Sequence, residues 1–128
     1  MAGEIVSTRA PEPVGAFPHA KRVGNLLFLS GIGPRTRGTN QIPSGIEAQC
    51  RAVFENVRTV LEDAGSSWDR IVDVTVFLTN MKDDFQTYNK LYAEFFAGEG
   101  KPNPTRTTVE VNALPTPIAI ELKVIATI

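Results

Sequence analysis

Between Val72 and Leu78 the apolar residues Val72, Val74, Val76 and Leu78 alternate with Asp73, Thr75 and Phe77. A period of two predicts a strand with one strongly apolar face, and such a face must be covered. The stretches on either side supply the cover. Ile46, Cys50, Val53, Val57, Val60, Leu61 and Ala64 recur at helical spacing, and Gly65 is placed to end that helix in a left-handed conformation. Ser44-Gly45-Ile46-Glu47 has the pattern of a capping box at its start. A second helix, capped by Asp83 or Asp84, carries the stripe Phe85, Tyr88, Tyr92, Phe95 and Phe96 and ends near Gly98. Upstream, Gly24-Asn25 precedes the apolar run Leu26-Leu27-Phe28-Leu29, which suits a turn feeding a strand covered on both faces; residues 33–45 read as a loop. Two further strands are expected over residues 105–111 and 118–127, and the short loop 112–117 predicts a hairpin between them.

The order strands, helix, strand, helix, strands implies an α+β fold, a mixed sheet with both helices on one face. Yet the strands carry apolar residues on both parities, Phe77 beside Val76 and Ile125 beside Val124. A symmetric oligomer is the expected cover for the second face. With 128 residues, 42% of them hydrophobic, a single domain over 1–128 is expected.

Thirteen Lys and Arg against fourteen Asp and Glu give no field to attract a polyanion, so neither nucleic acid nor an anionic membrane is an expected partner. No apolar run approaches the ~20 residues that span a bilayer, and the first residues lack the pattern of a secretory signal. One cysteine, Cys50, and one histidine are too few for a zinc site, so no metal or cofactor is expected, and the setting is expected to be reducing and cytoplasmic. Cys50 lies on the first helical stripe and reads as an inert core thiol; Trp68 reads as packing at a loop. Gly31-Ile32-Gly33 lacks the full dinucleotide fingerprint.

Arg106 stands near the start of one C-terminal strand, in Pro104-Thr105-Arg106-Thr107, and Glu121 lies between Ile120 and Leu122 on the other. In a hairpin the two would share a face and be diagonal neighbours. A guanidinium forks onto a carboxylate, and a half-buried glutamate of raised pKa takes a proton from water, so the pair suits an acid substrate and a water nucleophile. The same residues also read as an ordinary cross-strand ion pair with each other or with Lys123.

Pro13-Val14-Gly15-Ala16-Phe17, residues 25–31 (NLLFLSG), 49–56 (QCRAVFEN), 74–78 (VTVFL), Tyr88-Asn89, Pro104-Thr105-Arg106-Thr107 and Ile120-Glu121-Leu122 together resemble the RidA/YjgF family nearly end to end. The resemblance implies a chorismate-mutase-like fold, a homotrimer with sites in the clefts between subunits, and hydrolysis of an enamine or imine to a carbonyl compound and ammonia without a cofactor. It gives Arg106 the substrate carboxylate and Glu121 the attacking water, and puts Phe17, Ser30, Gly31, Tyr88 and Asn89 around a small carboxylate substrate. Phe17 stands where the family has a tyrosine, and Thr108 where a cysteine is common. Residues 17–22 (FPHAKR), 88–96 (YNKLYAEFF) and 104–109 (PTRTTV) resemble the 2-aminomuconate deaminase subgroup in particular. A dicarboxylic enamine would need a second cation, and His19, Lys21 or Arg22 is expected to supply it. Thr116-Pro117 departs from the histidines of that subgroup. Non-catalytic ligand binding, translation-inhibiting ribonuclease activity and a chaperone-like role are competing readings; the pairing of Arg106 with Glu121 favours the enzyme.

Overall fold

The computed structural model describes residues 2–128 as one six-stranded sheet with two helices. In chain order the elements are β1 (Glu4–Ile5), β2 (Ala20–Val23), β3 (Leu26–Leu29), α1 (Ile46–Asp63), a 3-10 turn (Trp68–Arg70), β4 (Ile71–Leu78), α2 (Met81–Phe96), β5 (Thr105–Glu110) and β6 (Ile120–Thr127). The strands lie in the order β1-β2-β3-β6-β4-β5; only β4 and β5 run parallel. The expected mixed sheet with helices on one face is what forms.

The expected C-terminal hairpin does not form. β6 lies between β3 and β4, and β5 is an edge strand on the far side of β4. Residue character explains the exchange. Ile120, Leu122, Val124 and Ala126 are all fully buried, which requires a central strand, whereas Thr105–Glu110 is largely polar and suits an edge. The connection between them passes over the end of β4, where Val111 N–H donates to Leu78 O (2.9 Å) and Thr79 N–H to Ala119 O (3.2 Å).

Gly24, with φ +60°, makes the expected two-residue turn between β2 and β3. Leu27 and Leu29 face the helices while Leu26 is 41% exposed, so β3 is covered on one face only within this chain. In β4 a bulge between Ile71 and Asp73 changes the phase: Ile71 is buried and Val72, expected on the apolar face, is 42% exposed.

Helix ends differ from expectation in two places. Gly45 (φ +88°) is the N-cap of α1 and no side chain caps it; Ser44 lies one position too early, and Glu47 pairs with Arg51 at 3.4 Å instead of reaching back. Asn80, not Asp83 or Asp84, caps α2, accepting from Asp83 N–H at 3.2 Å. Both aspartates sit in the first turn, where negative charge suits the helix dipole. At the end of α1, Gly65 N–H bonds Glu62 O and Ser66 N–H bonds Leu61 O, the Schellman arrangement, with Gly65 at φ +85°.

Cys50 is fully buried, and burial pushes its thiol up to about 12. Trp68 packs among Phe54, Phe95 and Phe96 and donates from Nε1 to Phe95 O at 2.9 Å. The sheet face away from the helices presents Leu26, Phe28, Phe77, Val109 and Ile125, where the chain itself places no helix. No helix is long and apolar enough to cross a membrane among the described residues.

Candidate active site

Strand alternation puts Glu121 on the open face of the sheet while its neighbours Ile120 and Leu122 enter the core. Its carboxylate lies against the backbone of Gly31, just past the end of β3. A Cβ there would come within 2.6 Å of Glu121 Oε2 and 3.0 Å of Cδ, so only glycine leaves the carboxylate this position. The carboxylate has no hydrogen bond or ion pair among the described residues, and burial raises its pKa above the ordinary value.

Glu121 opens onto a cleft that Phe17, His19, Ser30 and Gly31 also line, together with residues of the loops 11–14 and 115–118. Four of the residues expected at the site therefore meet Glu121 here. They differ in how free they are. Ser30 Oγ donates to Pro18 O at 2.7 Å, so the hydroxyl proton is committed to holding the loop. His19 is 3% exposed; its Nδ1 accepts from Ser7 N–H at 3.0 Å and its Nε2 donates to Pro11 O at 2.7 Å. With both ring nitrogens engaged, His19 ties the N-terminal loop to β2 and is not available as the second cation. Lys21 and Arg22 lie on β2, are exposed, and do not line the cleft. Phe17 presents an apolar ring, 40% exposed.

Arg106 belongs to a second cluster. Its partner in β4 is Val74, a buried residue facing the helices, so the guanidinium lies on the helix side of the sheet edge. Nη1 donates to Asn89 Oδ1 at 2.8 Å, and the guanidinium carbon stands 5.5 Å from the centroid of Tyr88 and 4.7 Å from that of Tyr92. Tyr88 in turn shares a 2.7 Å hydrogen bond with Thr108, the residue two beyond Arg106. Burial raises the pKa of Tyr88, and that of Tyr92 to about 12, so both rings stay neutral phenols beside the cation. No carboxylate pairs with Arg106 among the described residues. Its uncommitted N–H donors remain available to an anion.

The expected diagonal contact between Arg106 and Glu121 is thus absent. Glu121 shares its row with Phe77 and Val109, on the opposite face of the sheet from Arg106, and β4 separates the two strands. Neither the shared site nor the ordinary ion pair exists within one chain. Lys123, the other expected partner, donates from Nζ to Leu29 O on the open face, and burial lowers its pKa. Two residues of these clusters were missing from the expected site. Tyr92 read as core packing, although its spacing of four from Tyr88 with Asn89 between already put both rings on one helix face. Arg35, within the loop 33–45, lines the cleft.

The arrangement defines a class: a small α+β chain with an unpaired carboxylic acid in a cleft on one side of its sheet and a ring-supported guanidinium on the other. The Endoribonuclease L-PSP family model matches residues 7–128. A RutC family protein of Pyrococcus abyssi is 40% identical over 128 residues, covering 98% of each chain. An Escherichia coli K12 protein that bears the name reactive intermediate deaminase TdcF is 35% identical, covering 95% of this chain and 94% of its own. Among solved structures, the YjgF gene product of E. coli superposes with a TM-score of 0.90 at 33% identity, and E. coli TdcF with bound serine with 0.90 at 34%, each covering 98% of both chains. The chain belongs to the RidA/YjgF/L-PSP family.

Proposed function

We propose that this chain is an enamine/imine deaminase acting on small carboxylic acids, assembled as a homotrimer whose sites lie between copies. The observation that carries the reading is Glu121: a half-buried carboxyl without a partner, raised in pKa, set against Gly31 in a cleft. A carboxylate whose pKa burial raises above its ordinary value is a stronger base, suited to accept a proton from water. In the proposed reaction the enamine tautomerises to the imine, and water attached by Glu121's assistance adds to the C=N carbon. Glu121 passes the proton it took from water to the nitrogen, and the resulting carbinolamine expels ammonia as its hydroxyl proton, carried in turn by Glu121, moves to the leaving nitrogen and the carbonyl forms. Imine plus water gives carbonyl plus ammonia, and an imine carbon is already electrophilic, so positioning and one proton carrier are the main demands.

Arg106 supplies the positioning. Asn89 and the two tyrosine rings fix the guanidinium plane in advance, so little freedom is lost when it forks onto a carboxylate. Because Arg106 and Glu121 lie on opposite faces of one sheet, a site containing both draws them from different copies. The apolar open face is the surface that association would cover. The name of the TdcF relative supports the reaction class, and the serine bound to the TdcF structure supports a small carboxylate ligand. That serine also favours a second reading, binding without turnover. The family description as an endoribonuclease finds little support here: the one histidine has both ring nitrogens engaged.

The finer proposal is 2-aminomuconate, a dicarboxylic enamine, as the substrate. Ammonia release from 2-aminoacrylate, its longer homologues and 2-aminomuconate tests both levels. Turnover of any supports the deaminase, fastest turnover of 2-aminomuconate supports the finer proposal, and binding with no ammonia from any supports the second reading.

A further inference from the structure

We infer that Arg35 sets the substrate class of the cleft, taking a second carboxylate and so selecting dicarboxylic over monocarboxylic acids. The cleft's lining is mostly apolar or uncharged, and apart from the committed His19 and the acid Glu121 its charged residue is Arg35. Two of the guanidinium's five donors are used: Nη2 bonds Glu12 O at 2.6 Å and Nη1 bonds Asn40 Oδ1 at 2.8 Å. Both acceptors, a backbone carbonyl and a side-chain amide oxygen, are neutral, so they orient the group without cancelling its charge. Asn56 Nδ2 donates to the carbonyls of Gly33 and Arg35, both at 2.9 Å, and pins the backbone beneath it to α1. The nearby acid, Glu12, forms its ion pair with Arg37 at 3.9 Å, and its carboxylate also feels the charge of Arg35 without an ion pair to it. A half-buried cation held in place, still carrying free donors, is what a carboxylate requires. It also answers where a second cation comes from once His19 is committed and Lys21 and Arg22 lie outside the cleft.

This inference rests on the cleft being the reaction site, and its test is separable from that reading because it measures binding. The probes are stable 2-oxo acids of equal chain length, 2-oxoadipate and 2-oxohexanoate, titrated calorimetrically into the wild-type protein, Arg35→Gln and Arg35→Lys. Wild type binds the dicarboxylate about tenfold or more tightly than the monocarboxylate, as a charge-assisted pair would give. Arg35→Gln loses that preference through weakened dicarboxylate binding, and Arg35→Lys keeps part of it. Equal affinities in wild type, or a preference that survives Arg35→Gln, overturns the inference whether or not ammonia is ever released. Absence of ammonia with an Arg35-dependent preference intact would instead remove the deaminase reading alone.

Discussion

Glu121 and Arg106 differ in what surrounds them, and that difference predicts different failures. Glu121→Gln keeps shape but cannot accept a proton, so we expect a loss of roughly a hundredfold or more in kcat with ligand affinity near wild type. Arg106→Ala removes a forked, charge-assisted contact and is expected to raise KM as well as depress kcat, a total of about 3–5 kcal/mol in kcat/KM. The stability effect of Glu121→Gln has a definite sign. Burial raises the folded-state pKa of Glu121, so between the unfolded value of about 4.3 and the folded one the native state binds more protons. Wild type therefore loses stability as pH rises through that window, and Glu121→Gln escapes the loss. Melting curves from pH 4 to 8 should show the variant gaining on wild type as pH rises; a variant that melts lower throughout would mean the carboxylate has a partner that stabilises it.

At the scale of elements, the signals that succeeded were local and those that failed were not. The stripe of α1, its end at Gly65, the turn at Gly24 and the alternation in β4 were all legible, because each depends on residues within a few positions of one another. Gly65 gives this scale its own test. Its φ of +85° is unfavourable to any side chain, while the nearest atom to an added Cβ is Ile128 Cδ1 at 3.9 Å. Gly65→Ala should thus cost about 1–2 kcal/mol from backbone conformation alone, read as a lowered denaturation midpoint; an unchanged midpoint would contradict the Schellman ending. The pairing of β5 with β6 was misread because a short loop suggested a hairpin. The strand–helix–strand order of β4, α2 and β5 already pointed to parallel neighbours, and the polarity of Thr105–Glu110 beside the apolar alternation of β6 pointed to edge against centre. The bulge at Val72 left no such trace, since nothing in the residue types distinguishes it from the strand that follows.

The same misreading decided how much of the site was legible. Glu121, Gly31, Ser30 and Phe17, all named from the sequence, line one cleft, and Arg106, Tyr88 and Asn89 cluster at the sheet edge on the helix side. What the residues alone could not reveal is that the two groups face away from each other, because that follows from sheet order. At the scale of the whole molecule this leads to the proposal's central claim, that one chain would hold two halves of different sites. Light scattering should give three copies at micromolar concentration. The most direct test mixes subunits. Arg106→Ala and Glu121→Gln chains, each inactive alone, are unfolded together, refolded and assayed for ammonia release. If each site takes its arginine from one copy and its acid from the next, random mixing at equal amounts restores about a quarter of wild-type activity, because one pairing in four joins two intact halves. Mixed oligomers that form and remain as inactive as either variant would contradict the account.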